Sequence, residues 1–136
     1  MENIPFFNYP ALFEQRKDEY LDIVQDVLSR GAYIMQQDLF DFENDLAKYL
    51  GVKHAIGVAD GTMALLASLM AVGNGRGDEV IVPSHTFIAS VAAIHHSGAM
   101  PILADCQEDH LIDPNSIVKL ITSKTKAIMP VQLNGR

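Results

Sequence analysis

The stretch GDEVIVPSHTF, residues 77–87, determines the fold class of this chain. Residues 79–82 are predicted to form a buried strand, because Val80, Ile81 and Val82 are a short apolar run. Pro83 ends that strand because proline has no N–H to give to a sheet. The alanine- and isoleucine-rich segment 86–97 predicts a buried helix, which Gly98 ends. The stretch is therefore predicted to pass from a strand through a short loop into a helix.

The same alternation extends to both sides of this stretch. Apolar strands that alternate with apolar helices are typical of a mostly parallel sheet with helices on both faces, a three-layer αβα arrangement. A glycine-rich loop is predicted at 73–77, and Asp113-Pro114 has the order that starts a helix. The fold class is α/β. The further strands are predicted at 54–58, 101–104 and 127–131, and a further helix at 62–72.

The first part of the chain has a helical pattern instead. Residues 11–30 have apolar positions at helical spacing, and Gly31 is a plausible end. Asp38 is predicted to cap a second helix, which Gly51 ends. The chain is thus divided into an N-terminal helical segment, 1–53, and an α/β portion, 54–136. The apolar stripe of the second helix is Leu39, Phe42, Leu46 and Leu50.

Composition restricts the classes of partner. The formal net charge of −7 argues against nucleic-acid binding, because no basic stripe is available to meet phosphates. The single cysteine, Cys106, cannot form an internal disulfide. No signal-peptide pattern and no apolar run of about 20 residues is visible, so we expect no membrane partner and a cytoplasmic location.

The first candidate site is the turn Asp60-Gly61-Thr62-Met63, between the predicted strand 54–58 and the helix that follows it. The start of a helix offers free backbone N–H groups and a partial positive charge, which suit a phosphate. Gly61 lets the backbone approach a ligand closely, and the Thr62 hydroxyl can donate another hydrogen bond. An ordinary turn with a capped helix explains the same four residues, and taken alone it is the favoured interpretation.

The second candidate site lies one strand–helix unit later, at residues 83–87. Phe87 is placed to stack on an aromatic ligand at the carboxyl edge of the sheet, and His85 to line the same site. A core phenylalanine and a surface or hydrogen-bonded histidine are the competing interpretations, and on spacing alone they are favoured. The histidines have no metal-binding spacing, so no metal site is predicted.

Taken together, these segments resemble the DegT–DnrJ–StrS family, the nucleotide-sugar aminotransferases of pyridoxal-phosphate (PLP) fold type I. Each piece is short, but their order and spacing make a specific signal over nearly the whole chain. The pieces are Tyr33-Ile34, Phe42-Glu43, residues 49–55, 61–65, 77–84, Thr86-Phe87, 98–101, Ile121-Thr122, 124–128 and Pro130-Val131.

The resemblance implies roles for several residues. Thr62 and the Met63 backbone, beside Gly61, would bind the PLP phosphate, and Phe87 would stack on the pyridine ring. The segment at Tyr33 would lie near a homodimer interface and the sugar site. The implied reaction moves an amino group from an amino acid, usually glutamate, to a keto sugar carried on a nucleotide.

The resemblance also implies what lies outside the chain. The acid that pairs with the pyridine nitrogen and the Schiff-base lysine would both follow Arg136. No catalytic residue is therefore assigned within the chain, which we expect to be a truncated and inactive part of the enzyme. A branch of the family with histidine at the lysine position dehydrates sugars, and a PLP sugar dehydratase stays an alternative. If the chain is complete, a non-catalytic binding or assembly module is the other alternative.

Overall fold

A computed structural model describes residues 4–136. The chain divides into two compact units, Met1–Gly57 and Val58–Arg136. The first unit is helical, and the second contains a parallel sheet with its helices. In the part of the chain that the structure describes, no helix has both the length and the apolar character needed to cross a bilayer.

Within its described residues, 4–57, the first unit contains three helices: α1 (Tyr9–Glu14), α2 (Lys17–Ser29) and α3 (Gln37–Leu50). The single helix predicted over 11–30 is therefore wrong, because the chain leaves the helical conformation at Arg16. The Arg16 guanidinium instead binds the Glu19 carboxylate in the first turn of α2, 2.6 Å away. Acidic residues near a helix start are favourable, which explains why a new helix begins here.

The predicted cap of α3 is also wrong. Gln36 is the N-cap residue, and Asp38 lies inside the first turn. The Asp38 carboxylate accepts hydrogen bonds from the Arg30 guanidinium, the shortest 3.0 Å long. The end of α3 is as predicted, because Gly51 adopts the left-handed conformation with φ of 67°. The predicted apolar stripe is only partly covered within the described residues: Leu39 and Leu46 are half-buried, whereas Phe42 and Leu50 are exposed.

The strand predicted at residues 54–58 does not form. A strand exists through ladder hydrogen bonds to a neighbour, and an apolar run does not by itself provide that neighbour. The Gly57 N–H, which a ladder would use, donates instead to the Glu43 carboxylate over 2.6 Å. A Cβ atom at Gly57 would lie 2.7 Å from Leu39 Cδ1, so a larger residue would not fit beside α3 without movement of the leucine.

The second unit contains the parallel sheet, with β1 (Glu79–Pro83) between β2 (Met100–Ala104) and β3 (Thr125–Ile128). Ile81 pairs with Ile102 on one side and Ile128 on the other, both in parallel register. Both faces of β1 are covered, because Val80, Ile81 and Val82 are all fully buried although their side chains alternate in direction. The predicted α/β fold with a parallel sheet is confirmed.

Three helices connect and cover these strands: α4 (Gly61–Ala71), α5 (Ile88–His96) and α6 (Pro114–Leu120). The α4 and α5 helices pack on each other, and their apolar residues join Val80 and Val82 in one core. Asp113 caps α6 as predicted, since its carboxylate accepts a hydrogen bond from the Asn115 N–H. The core cluster is Leu69, Val80, Val82, Ala93, Ile94 and Ala99.

Candidate functional site

The first turn of α4 is shaped by Asp60. Its backbone is extended, and its carboxylate accepts a hydrogen bond of 2.8 Å from the Met63 N–H. The N–H groups of Gly61 and Thr62 belong to the first helical turn, where no intrahelical acceptor is available. A Cβ atom added at Gly61 would meet no heavy atom within 4 Å, so the backbone there faces open space. This helix start can therefore accept an anion at close range.

The start of α5 presents an aromatic ring. Phe87 is the N-cap residue, in an extended conformation, and it is 75% exposed. Its neighbour Ile88, the first residue of α5, is exposed as well. On the other side of Phe87, Thr86 contacts Ser90 through a hydrogen bond of 2.8 Å between the two hydroxyl oxygens. The ring of Phe87 thus offers a flat apolar surface beside polar hydroxyl groups.

The starts of these two helices border one cavity of about 590 Å³. A third wall is the segment that follows β3, including a short 3₁₀ turn at Leu133–Gly135. The cavity lies beyond the carboxyl ends of β1 and β3, which is where ligands bind in open α/β sheets. Its lining residues are Gly61, Thr62, Leu65, Thr86, Phe87, Ala89, Ser90 and residues 131–134.

The structure brings some of the sequence-predicted residues together and separates others. Gly61, Thr62 and Phe87 line the same cavity. Met63 does not line it, and its N–H is bound to Asp60. His85 is exposed, lies outside the cavity lining, and its ring contacts His110 edge to face with centroids 5.6 Å apart. Tyr33 belongs to the first unit, where it is 73% exposed.

Sequence reasoning assigned no role to several lining residues. Thr86 lies within the predicted site at 83–87 but was given no role, and Ser90, in the first turn of α5, was not singled out. The sequence did not indicate that these two residues line a site, because hydroxyl residues are common at helix starts. Residues 131–134 directly follow a strand, and their position after a carboxyl end was the signal that they border a site.

The side chains that line the cavity carry no charge, and the Asp60 carboxylate lies at the start of α4 without lining the cavity. Attraction of an anion would therefore come from the backbone dipoles of α4 and from hydroxyl groups. A site of this kind can bind and orient a ligand. None of the lining residues has a side chain suited to proton transfer near neutral pH or to forming an imine with a carbonyl group. Among the described residues, no group of three or more metal-ligating side chains comes together.

Comparison with known proteins gives consistent matches. A model of the DegT/DnrJ/EryC1/StrS aminotransferase family matches residues 14–136. The chain is 41% identical over 133 residues to dTDP-3-amino-3,4,6-trideoxy-alpha-D-glucose transaminase of Streptomyces venezuelae, covering 97% of this chain and 35% of that protein. It is 43% identical to dTDP-3-amino-3,6-dideoxy-alpha-D-galactopyranose transaminase of Aneurinibacillus thermoaerophilus, covering 98% of this chain and 37% of the relative.

Solved structures agree with these relatives. The crystal structure of S. venezuelae DesV matches with a TM-score of 0.94 and 40% identity, over 100% of this chain and 37% of that one. NtdA from Bacillus subtilis, solved with bound cofactor PMP, matches with a TM-score of 0.91 and 34% identity, over 98% of this chain and 31% of that one. The chain thus spans about a third of the length of these proteins. Because the family model matches residues 14–136, the chain belongs to the DegT/DnrJ/EryC1/StrS aminotransferase family.

Proposed function

We propose that this chain forms the cofactor-binding part of a PLP-dependent aminotransferase that acts on a nucleotide-linked keto sugar. In this proposal residues 54–136 are part of the large cofactor-binding domain, and residues 1–53 are a helical segment that precedes it. The observation that supports the proposal is a single cavity that is lined by Gly61, Thr62 and Phe87. A phosphate site and an aromatic surface in one cavity suit the two parts of a phosphorylated pyridine, its phosphate group and the face of its ring.

The residues present fit such a group. The start of α4 provides backbone N–H groups for the phosphate, and Gly61 has no side chain to block its approach. The Thr62 hydroxyl adds a further donor. The exposed Phe87 ring is free to stack on the pyridine ring at offset-stacking distance. The volume of about 590 Å³ falls within the range of about 300–1,000 Å³ that is usual for ligand sites.

The Met63 N–H is the one proposed phosphate donor that is already bonded. It donates to the Asp60 carboxylate, which would face a phosphate with like charge. The proposal therefore assigns the phosphate first to the Gly61 N–H and to the N–H and hydroxyl of Thr62. Met63 joins them when the Asp60 carboxylate turns away.

The chemistry divides between the cofactor, this chain and the rest of the protein. When bound, PLP supplies the electron sink that amino-group transfer requires. The lining residues of this chain bind its phosphate and orient its ring. Because no suitable amine or proton-transfer group lines the cavity, the lysine that holds the cofactor covalently is proposed to come from a longer chain.

The names of the relatives support the substrate class. The two transaminases described above act on dTDP-linked sugars, and GDP-perosamine synthase of Caulobacter vibrioides is 42% identical over 130 residues. Because relatives with different nucleotides are equally similar, we propose a nucleotide-linked keto sugar without choosing the nucleotide. An amino-acid donor such as glutamate, a homodimer with Tyr33 near the sugar site, and a cytoplasmic location complete the proposal.

A binding titration tests the cofactor site in this chain. The probe is pyridoxine 5′-phosphate, which lacks the aldehyde and cannot react with surface lysines. We expect saturable binding of this probe and at least tenfold weaker binding of pyridoxine, which has no phosphate, a difference of about 1.4 kcal/mol. Thr62→Val and Phe87→Leu should each weaken binding of the phosphate probe. Equal affinity for the two probes would contradict a phosphate site.

A second experiment tests the reaction in a longer protein that contains this chain. It is incubated with PLP, glutamate and a dTDP-linked or GDP-linked keto sugar, and the formation of 2-oxoglutarate and amino sugar is followed. The proposal requires the two products in equal amounts. Loss of water from the sugar without transfer of nitrogen would show the dehydratase instead. A protein that binds no PLP and changes no sugar would contradict both enzymes.

A further inference from the structure

The orientation of the Phe87 ring is not fixed by packing. The residue is 75% exposed, so few atoms surround the ring. Phe87 is also the N-cap of α5, and no side chain caps this helix start. In most helices a capping hydroxyl or carboxylate holds the first turn in place. Something other than packing or an ordinary cap must therefore hold Phe87 if it is to present a fixed surface.

A hydrogen bond between two hydroxyl groups spans this residue. Thr86 Oγ1 and Ser90 Oγ are 2.8 Å apart; Thr86 precedes the N-cap residue, and Ser90 lies in the first turn of α5. Ser90 is buried, at 6% exposure, which restricts its hydroxyl to a well-defined position. The Ser90 N–H also donates to the Phe87 carbonyl over 3.1 Å. Phe87 thus sits inside a closed loop formed by the backbone and the hydroxyl pair.

We infer that the Thr86–Ser90 hydroxyl pair positions the Phe87 ring for stacking on the bound cofactor. Thr86 and Ser90 are positioning residues in this account, since they act through Phe87. The pair ties the residue before the N-cap to the first turn of α5, and both hydroxyl-bearing residues line the same cavity as Phe87. The inference rests on the proposed function for the identity of the ligand, but the hydroxyl pair is present in the chain without ligand.

The restraint is measured directly in the full 136-residue chain without ligand. Three-bond NMR couplings report the χ1 angle of Phe87, and we expect values of a single rotamer. Thr86→Val and Ser90→Ala each remove one hydroxyl and should shift the couplings toward averaged values. Thr86→Ser, which keeps the hydroxyl, should restore the wild-type couplings. Because Thr86→Val and Ser90→Ala each break the same hydroxyl hydrogen bond, either variant is sufficient for the test if the other does not fold.

Ser97→Ala is the matched control. Ser97 follows α5 at its other end and donates to the Ile94 carbonyl over 2.7 Å, so this change also removes one hydroxyl hydrogen bond. It should leave the Phe87 couplings unchanged. Unchanged Phe87 couplings in both Thr86→Val and Ser90→Ala would overturn the inference, whatever the chain binds.

Binding of pyridoxine 5′-phosphate provides the second readout. Thr86→Val and Ser90→Ala should weaken it at least threefold, and adding Phe87→Leu to either variant should cause little further loss, because both changes act through the same ring. Additive losses would overturn the inference. If the wild-type chain does not bind pyridoxine 5′-phosphate, the proposed function is contradicted. If the Phe87 couplings nevertheless change in Thr86→Val and Ser90→Ala, the hydroxyl pair is still the restraint on Phe87.

Discussion

At the scale of single residues, Asp60 is the least expected feature of the site. Its carboxylate caps α4 through the Met63 N–H, where it supports the helix but adds negative charge beside the proposed phosphate position. Asn caps a helix about as well as Asp and carries no charge. Helix capping and phosphate binding therefore make opposite demands on this position.

Replacing Asp60 by asparagine tests this conflict. We expect Asp60→Asn to tighten binding of pyridoxine 5′-phosphate by about threefold to tenfold, because a like charge near the phosphate is removed. Binding of pyridoxine should not change. Asp113→Asn is the matched control, since Asp113 caps α6 in the same way. Weaker phosphate binding in Asp60→Asn would show that the carboxylate helps the site.

The Arg30–Asp38 pair makes a prediction about pH. Hydrogen bonds from the Arg30 guanidinium hold the pKa of the Asp38 carboxyl below its ordinary value. Because the pKa is lower in the folded chain, this stabilisation is present above the ordinary pKa and is lost as the pH falls through the folded value. We expect Arg30→Gln to raise the NMR titration midpoint of Asp38. Lys48→Gln, which removes another surface ion pair, should leave that midpoint unchanged.

The sequence predicted part of the site at this scale. Spacing placed Gly61, Thr62 and Phe87 at helix starts, the family resemblance gave them cofactor roles, and the three residues do line one cavity. The contact between Asp60 and Met63 was not predicted, because aspartate serves equally as a turn residue and as a cap. The hydroxyl bond between Thr86 and Ser90 depends on side-chain rotamers, which spacing does not determine.

At the scale of elements, β1 organises the second unit. It is the central strand, and its residues Val80, Ile81 and Val82 are fully buried. The sequence predicted this strand because its apolar run is bounded by a glycine-rich loop and a proline. The strand predicted at 54–58 has a similar apolar pattern, but pairing with a neighbour is a tertiary property that the pattern does not contain.

Substitution of Val82 measures how much the burial of β1 contributes to the free energy of unfolding. We expect Val82→Ala to lower the free energy of unfolding by about 2 kcal/mol, because it removes buried methyl groups and leaves a void. Val118→Ala makes the same chemical change in α6 at a side chain that is 71% exposed, and should have little effect. Urea denaturation monitored by circular dichroism compares them. Equal losses would contradict the assignment of the core.

The loop between α4 and β1 contains a second stability determinant. Asn74 is 8% exposed, and neither its Nδ2 nor its Oδ1 atom has a hydrogen-bond partner among the described residues. A buried amide without partners costs free energy, whereas an apolar side chain of similar size does not. We expect Asn74→Leu to raise the free energy of unfolding by about 1 kcal/mol. Asn74→Ala is the comparison, because it removes the amide but leaves a void. A free energy of unfolding lower than that of the wild type for Asn74→Leu would show that the amide has a hydrogen-bond partner.

At the scale of the whole molecule, the chain combines a helical unit with a three-stranded parallel sheet. The α/β class was predictable because short apolar runs alternate along the chain with longer apolar segments that glycine and proline bound. The break that divides the N-terminal helices at Arg16 could not be predicted, because no glycine or proline marks it. Membership of the aminotransferase family was predictable because many short segments occur in a fixed order.

The most direct test of the central claim is an amide chemical-shift map of the chain with pyridoxine 5′-phosphate. The account predicts that the largest changes occur at Gly61, Thr62 and Phe87, with smaller changes at residues 131–134, which border the same cavity. It also predicts that these changes are lost with pyridoxine at the same concentration. Changes confined to other surfaces, with Gly61, Thr62 and Phe87 unaffected, would contradict the account.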